Sequence, residues 1–182
     1  YGVANPDGIE WPKVFDAGDV IPSGTMSESG LSETHRRVTE VTRAVLDLGL
    51  FPIAIGGGHD LTFPFVRAVT AKFPKLGGVY ADAHLDVREQ PGSGMPFRRL
   101  IEDCKVGPLW VHGMQPLVNS AEHVSWFLAH GGRVVDGGDA RLLAGDRAAH
   151  SPEPFVLAPN FAASDAAERR DLFVSFDLDV ID

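Results

Sequence analysis

Three short motifs place carboxylates and imidazoles at spacings that could do chemistry. Gly56-Gly57-Gly58-His59-Asp60 sets an imidazole directly behind three glycines. Asp82-Ala83-His84-Leu85-Asp86 alternates ionisable with apolar side chains, and Ser175-Phe176-Asp177-Leu178-Asp179-Val180-Ile181-Asp182 repeats the alternation. Alternate residues of an extended chain share a face. Asp82, His84 and Asp86 are therefore expected to point one way, and so are Asp177 and Asp179. Burying such groups without compensation is costly, and paired carboxylates repel unless a cation intervenes. Four Asp and two His suit a pair of divalent cations, with oxygen-rich ligation favouring manganese over thiolate-loving zinc, while Zn2+ and Fe2+ stay open. Four carboxylate charges would balance two such ions, and water between them could ionise near neutral pH.

Each motif also has a plainer reading. The glycines can form an ordinary tight turn, and a single His59 is more often structural than a ligand. Their spacing fits neither the dinucleotide fingerprint nor the lysine-ended phosphate loop. Asp82 to Asp86 could lie on a solvated edge strand, but the preceding Gly78-Val79-Tyr80-Ala81 is too apolar for one. Asp182 is read as ending its strand rather than extending the site.

The elements that must position these motifs alternate between helical and extended patterns. Ser32 to Leu48 has helical periodicity through Val38, Val41, Val45 and Leu48, and stops at Gly49. Phe51 to Ile55 reads as a buried strand, 61–73 as a helix and Leu76 to Ala83 as another buried strand. Helices are expected over 97–104 and 119–130, and strands over 109–113, 133–135 and 172–177. Segment 142–160 reads as a loop and 161–170 as a helix. This order predicts a mostly parallel sheet covered by helices, with ligands at the carboxyl ends of strands, where all three motifs fall.

Composition narrows the function classes. The 182 residues fit one domain, with 44% apolar and 23% charged residues. A net charge of -9 argues against nucleic acid or an anionic membrane as partner. The one cysteine, Cys104, precludes an internal disulfide and suits a reducing, cytoplasmic setting, with the thiol expected to be inert. The chain begins at Tyr1 and stops at Asp182 just after a strand-like segment. It reads as a fragment of a longer protein, incomplete at both ends.

Taken in order, Gly-Gly-Gly-His, Asp-Ala-His-x-Asp and Ser-Phe-Asp-x-Asp-x-x-Asp resemble the ureohydrolases: arginase, agmatinase, formimidoylglutamase and relatives. The resemblance runs from about Gly18 to Asp182. It implies a three-layer α/β/α fold of the arginase/deacetylase type and a dinuclear manganese site. It further implies His59, Asp82, Asp86 and Asp177 on one ion, and Asp82, His84, Asp177 and Asp179 on the other. Asp86 would assist proton transfer while a water held between the ions attacks the sp2 carbon of a guanidine or amidine. A homo-oligomer is implied in the same way.

The loop after the second motif bears on the substrate. Arginases carry Asn where this chain has Arg88 and a catalytic His where it has Ser93, whereas formimidoylglutamases resemble Asp-Leu-Arg followed by Ser-Gly-x-Pro-Phe. A guanidinium there suits a substrate carboxylate, so N-formimidoyl-L-glutamate is the expected substrate. A guanidine hydrolase releasing urea and a non-catalytic metal-binding scaffold are the competing readings. For Arg88 a local salt bridge with Glu89 or Asp103 is nearly as plausible as substrate binding, and Ser93 is evenly balanced between substrate donor and flexible loop residue. His112 is expected at a sheet edge away from the metals, and Asp136-Gly137-Gly138-Asp139 in a turn. His35, His123, His130 and His150 read as surface residues, and Trp11, Trp110 and Trp126 as packing residues.

Overall fold

The structure, a computed structural model, describes residues 13–24, 27–135 and 171–181. Four parallel strands form one sheet: β1 (Leu76–Ala81), β2 (Leu109–His112), β3 (Arg133–Val134) and β4 (Asp171–Phe176), in the order β3-β2-β1-β4. The helices are α1 (Glu28–Asp47), α2 (Thr62–Thr70), α3 (Pro96–Cys104) and α4 (Ala121–Ala129). Each connection along β1-α3-β2-α4-β3 carries a helix, as parallel pairing requires. The expected alternation of strand and helix therefore holds over these elements.

β1 is the centre of the core. All six of its residues are buried, and Tyr80 stacks on Phe97 of α3 with ring centroids 3.7 Å apart while meeting Phe127 of α4 edge-on. Gly78 is small for a reason: a Cβ there would collide with the ring of Phe173 from β4. Leu46 of α1 and Phe63, Val66 and Val69 of α2 join the same cluster.

Four expectations are corrected. Phe51–Ile55 is not a buried strand: it pairs with no strand among the described residues, and Phe51, Ile53 and Ile55 are exposed. An apolar run forms a strand only beside a ladder partner. β4, last in the sheet among the described residues, similarly exposes Leu172, Val174 and Phe176. The buried face of α1 is rotated from the expected stripe, taking His35, Val38, Thr39, Thr42 and Leu46, with Val41 and Leu48 exposed. Polar residues can occupy it because Thr39 and Thr42 return their hydroxyls to the carbonyls of His35 and Val38 at 2.9 and 2.8 Å. His35 is consequently a buried residue rather than a surface one. His112 lies on the interior strand β2, is 2% exposed, and is paired in register with Ala81.

Helix ends follow their capping chemistry. Ser27 caps α1, ahead of the expected start at Ser32, by accepting from the Gly30 amide at 3.1 Å, and Ser120 caps α4 by accepting from the His123 amide. Pro96 opens α3, where its missing N–H costs nothing. No helix of the described residues is long and apolar enough to cross a membrane. The readings on Trp11, on 136–139, on 142–170 with His150, and on Asp182 lie outside the described residues.

Candidate metal centre

Two of the motifs are positioned by the sheet. The Asp82 amide donates to the carbonyl of His112 at 3.0 Å, and the Asp177 amide to that of Ala81 at 2.9 Å. Parallel ladder bonding thus continues one residue past β1 and β4, setting Asp82 and Asp177 side by side at the carboxyl end of adjacent strands. Beyond that point neither motif stays extended. β1 ends at Ala81, and Asp86 takes a left-handed φ of 48°, a conformation that few non-glycine residues adopt. Asp179 lies in a 3-10 turn, Leu178–Ile181, with its amide donating to Asp177 Oδ1 at 3.1 Å. The side chains that simple alternation set on one face do converge, but by a different geometry: bends, not a flat strand face, turn them together.

The third motif enters from the other side. Gly56 and Gly57 hold φ of 86° and 85°, the left-handed region that glycine enters at no steric cost. His59 then begins a short 3-10 turn, His59–Leu61, leading into α2. Its ring is braced edge-on by Phe97 at 5.3 Å, and its Nε2 lies 3.2 Å from Ser175 Oγ. Its Nδ1 faces Asp86 Oδ2 at 2.9 Å, Asp82 Oδ2 at 3.1 Å and Asp177 Oδ2 at 3.3 Å. His84 Nδ1 faces Asp179 Oδ2 at 2.9 Å and Asp82 Oδ1 at 3.6 Å.

These contacts define two groups able to hold a cation, His59-Asp82-Asp86 and Asp82-His84-Asp179, with ligand atoms within 4.8 Å of one another in each. Asp82 belongs to both. The fit to a metal rests on this residue: it is 1% exposed, and its buried Oδ2 takes no hydrogen bond among the described residues. A carboxylate oxygen at such depth, faced by the His59 imidazole at 3.1 Å but without a hydrogen bond, is expensive, and a cation would supply what is missing. The electrostatics agree. Burial opposes charge on His59, but Asp82 and Asp86 outweigh it and hold the imidazole pKa up at about 10. Burial, reinforced by Asp86, raises the Asp82 pKa despite contacts from His59 and the His84 amide. Tyr80 beneath is pushed up too, by burial first and then by the same two carboxylates. The cluster gathers positive charge wherever it can.

His59, His84, Asp86, Asp177 and Asp179 line a cavity of about 320 Å3 that also reaches Gly57, Arg88, Ser93 and Gly94. Arg88 is exposed and makes no ion pair among the described residues. The suggested salt bridges are taken by others, Glu89 pairing with Arg98 at 2.9 Å and Asp103 with Arg99 at 3.2 Å. The loop closes through the Arg88 amide donating to the Gly94 carbonyl at 2.8 Å, and the Arg88 side chain lies where a Cβ on Gly94 would stand. Ser93 is exposed at the rim. A larger cavity of about 480 Å3, lined by Arg43, Arg67 and Arg99, contains none of these residues. Its wall includes Cys104, whose thiol pKa is raised by burial, in line with the expected inert cysteine.

Sequence reasoning missed Asp60, which is buried and bonded to His35 at 2.7 Å, and Asn119, whose side chain bonds backbone within the second motif. Asp60 adjoins His59, and that adjacency was the available signal. Asn119 had none.

The Arginase family model matches residues 3–182. The formimidoylglutamase of Ralstonia nicotianae is 38% identical over 100 residues, covering 50% of this chain and 30% of that protein. The agmatinase of Bacillus anthracis is 29% identical over 180 residues, covering 96% of this chain and 54% of that one. Among solved structures, Trypanosoma cruzi formiminoglutamase with Mn2+2 superposes with a TM-score of 0.67 at 27% identity, covering 90% of this chain and 52% of that one. The chain thus spans about half the length, or less, of the relatives it matches.

Proposed function

The chain belongs to the arginase family, and on that premise we propose that it carries the two-metal centre of a manganese-dependent hydrolase acting on a linear amidine, N-formimidoyl-L-glutamate. The products are L-glutamate and formamide. The observation that carries this reading is the pair of ligand groups sharing the buried Asp82, whose Oδ2 takes no hydrogen bond among the described residues. His59, Asp82, Asp86 and Asp177 would hold one Mn2+, and Asp82, His84, Asp177 and Asp179 would hold the other. Two divalent cations held there would supply a water of lowered pKa, able to ionise near neutral pH.

The protein's own side chains do the rest. Asp86, 2.9 Å from His59 Nδ1, carries the proton from the attacking water to the departing amine. Arg88, unpaired by any carboxylate among the described residues and facing the cavity, binds the substrate carboxylate through its planar fork. Ser93 offers a hydroxyl at the same rim. A formimidoylglutamase relative at 38% identity supports this substrate.

A guanidine hydrolase is the second reading, supported by the agmatinase of Bacillus anthracis and the guanidinobutyrase of Pseudomonas aeruginosa, the latter 33% identical over 132 residues. Assays of the manganese-loaded protein separate the two. Glutamate and formamide from the formimidoyl compound are expected; urea from arginine, agmatine or guanidinobutyrate, without glutamate, contradicts the first reading.

A further inference from the structure

We propose that each candidate metal-binding imidazole is positioned by its own clamp outside the metal centre, Asn119 for His84 and the buried His35–Asp60 pair for His59, and that the two clamps act separately. The inference rests on the two-metal reading above and concerns how its ligands are held.

His84 sits in a bend beyond the end of β1, and its side chain is 37% exposed, so neither a ladder nor dense packing fixes it. Asn119, between β2 and α4, grips the peptide groups on both sides of it. Its Oδ1 accepts from the Leu85 amide at 2.9 Å, and its Nδ2 donates to the carbonyls of Ala83 and Gln115, each at 2.8 Å. The partners fix the amide orientation, since Leu85 supplies a donor and the two carbonyls are acceptors. A side chain with both an acceptor and two donors is needed, which Asn provides and Asp or Leu does not. Asn119 thereby does for the bend what a neighbouring strand does for β1.

His59 has a different anchor. The segment ahead of it, 51–58, joins no strand ladder among the described residues. The chain behind it is tied to α1. Asp60 Oδ2 bonds His35 Nε2 at 2.7 Å, both residues being buried, and Thr39 Oγ1 lies 3.1 Å from the Pro64 carbonyl while accepting from Arg67 Nη2 at 2.7 Å. Breaking a buried pair on one side strands the other member, so the turn bearing His59 is held to one place against α1. The clamps share no residue, although the ligand sets they serve share Asp82 and, in the two-metal reading, Asp177. Clamps with no partner in common are expected to act separately.

Calorimetric titration of the intact protein with Mn2+ tests the inference. The wild type is expected to bind two ions. In a His84→Ala background, which retains the His59 group, His35→Ala should weaken the remaining site roughly 10- to 100-fold, with Asn119→Ala nearly neutral. A His59→Ala background should reverse the pattern. His35→Gln, which keeps a donor near the Nε2 position, should restore affinity. Asn119→Asp, which keeps shape and acceptor but loses the donors, should fall between wild type and Asn119→Ala. In the metal-free protein, Asn119→Ala should also speed exchange of the Leu85 amide. A merely structural role predicts equal weakening of both sites by either variant. That outcome, or no effect of either, overturns the inference while leaving the metal centre intact. A wild type that binds no Mn2+ overturns the metal reading and the inference with it.

Discussion

The candidate site has two halves built in different ways. Asp82 and Asp177 stand at the ends of neighbouring parallel strands, each fixed by a ladder bond just past its strand. His59, His84, Arg88 and Ser93 stand on bends that no ladder holds, and depend on side-chain bonds, aromatic packing and close glycines. The strand half therefore fixes the two carboxylates at the centre, while the loop half brings the imidazoles to them and, at Arg88 and Ser93, forms the rim of the cavity. Backbone pairing gives rigid placement for the two carboxylates that would be shared by both ions of the proposed centre. Side-chain clamps leave the surrounding groups free to differ between relatives that act on different substrates, as loops do on rigid scaffolds generally.

Breaking the strand half should have the largest effect. Asp82→Asn removes a ligand from both groups at once. It is expected to abolish binding of both ions and lower kcat/KM by about 10^3-fold or more, since metal polarisation contributes several kcal/mol. The metal-free protein should change little in stability, because relief of a buried carboxylate charge whose Oδ2 lacks a hydrogen bond is offset by loss of its 3.1 Å contact with His59. Metal analysis together with thermal unfolding checks both parts.

The rim of the loop half should respond in substrate binding instead. Arg88→Ala is expected to raise KM for the formimidoyl compound about 10- to 100-fold, the worth of a charge-assisted bond, with manganese content unchanged. Steady-state kinetics on an uncharged amidine should show almost no difference.

The junction of the halves is His59, and pH probes it. Its folded pKa of about 10 lies above the ordinary 6.5, so its contribution to the stability of the metal-free protein is fully present below pH 6.5. That contribution is lost as pH rises toward about 10, which denaturant unfolding across that range would show. Metal must displace the same proton. Mn2+ affinity should therefore rise with pH, by up to about tenfold per unit near neutrality, as titrations in several buffers would reveal.

The smallest effect should come from Gly94→Ala. A Cβ there comes within 2.8 Å of Arg88 Cδ, and the flexible arginine can shift aside. A KM increase of a few-fold, about 1 kcal/mol or less, with unchanged kcat is expected from the same kinetic assay.

How much of this was legible in the sequence follows the same division. The strand-end carboxylates were readable because the apolar runs before them, Leu76 to Ala81 and Leu172 to Phe176, have the composition of paired strands. Phe51–Ile55 has that composition too and forms no ladder here, because composition records a need for burial without naming the neighbour that meets it. The α1 face was misread because Thr39 and Thr42 hide their hydroxyls on their own helix, which an apolar count cannot register. His35 was read as a surface residue because its partner Asp60 lies 25 positions away. Asn119 was invisible for a similar reason: an amide that grips backbone 34 and 36 positions earlier leaves no local pattern. The gathering of Asp82, His84 and Asp86 was expected, but it arises from the left-handed Asp86 and a bend rather than from strand alternation.

The central claim is that two cations share Asp82. Electron paramagnetic resonance of the protein loaded with two equivalents of Mn2+ tests it most directly, because ions held roughly 3.5–4 Å apart are magnetically coupled. A coupled dinuclear signal, lost in Asp82→Asn, is the predicted result. A six-line spectrum of isolated Mn2+ at full loading, unchanged by that substitution, would contradict it.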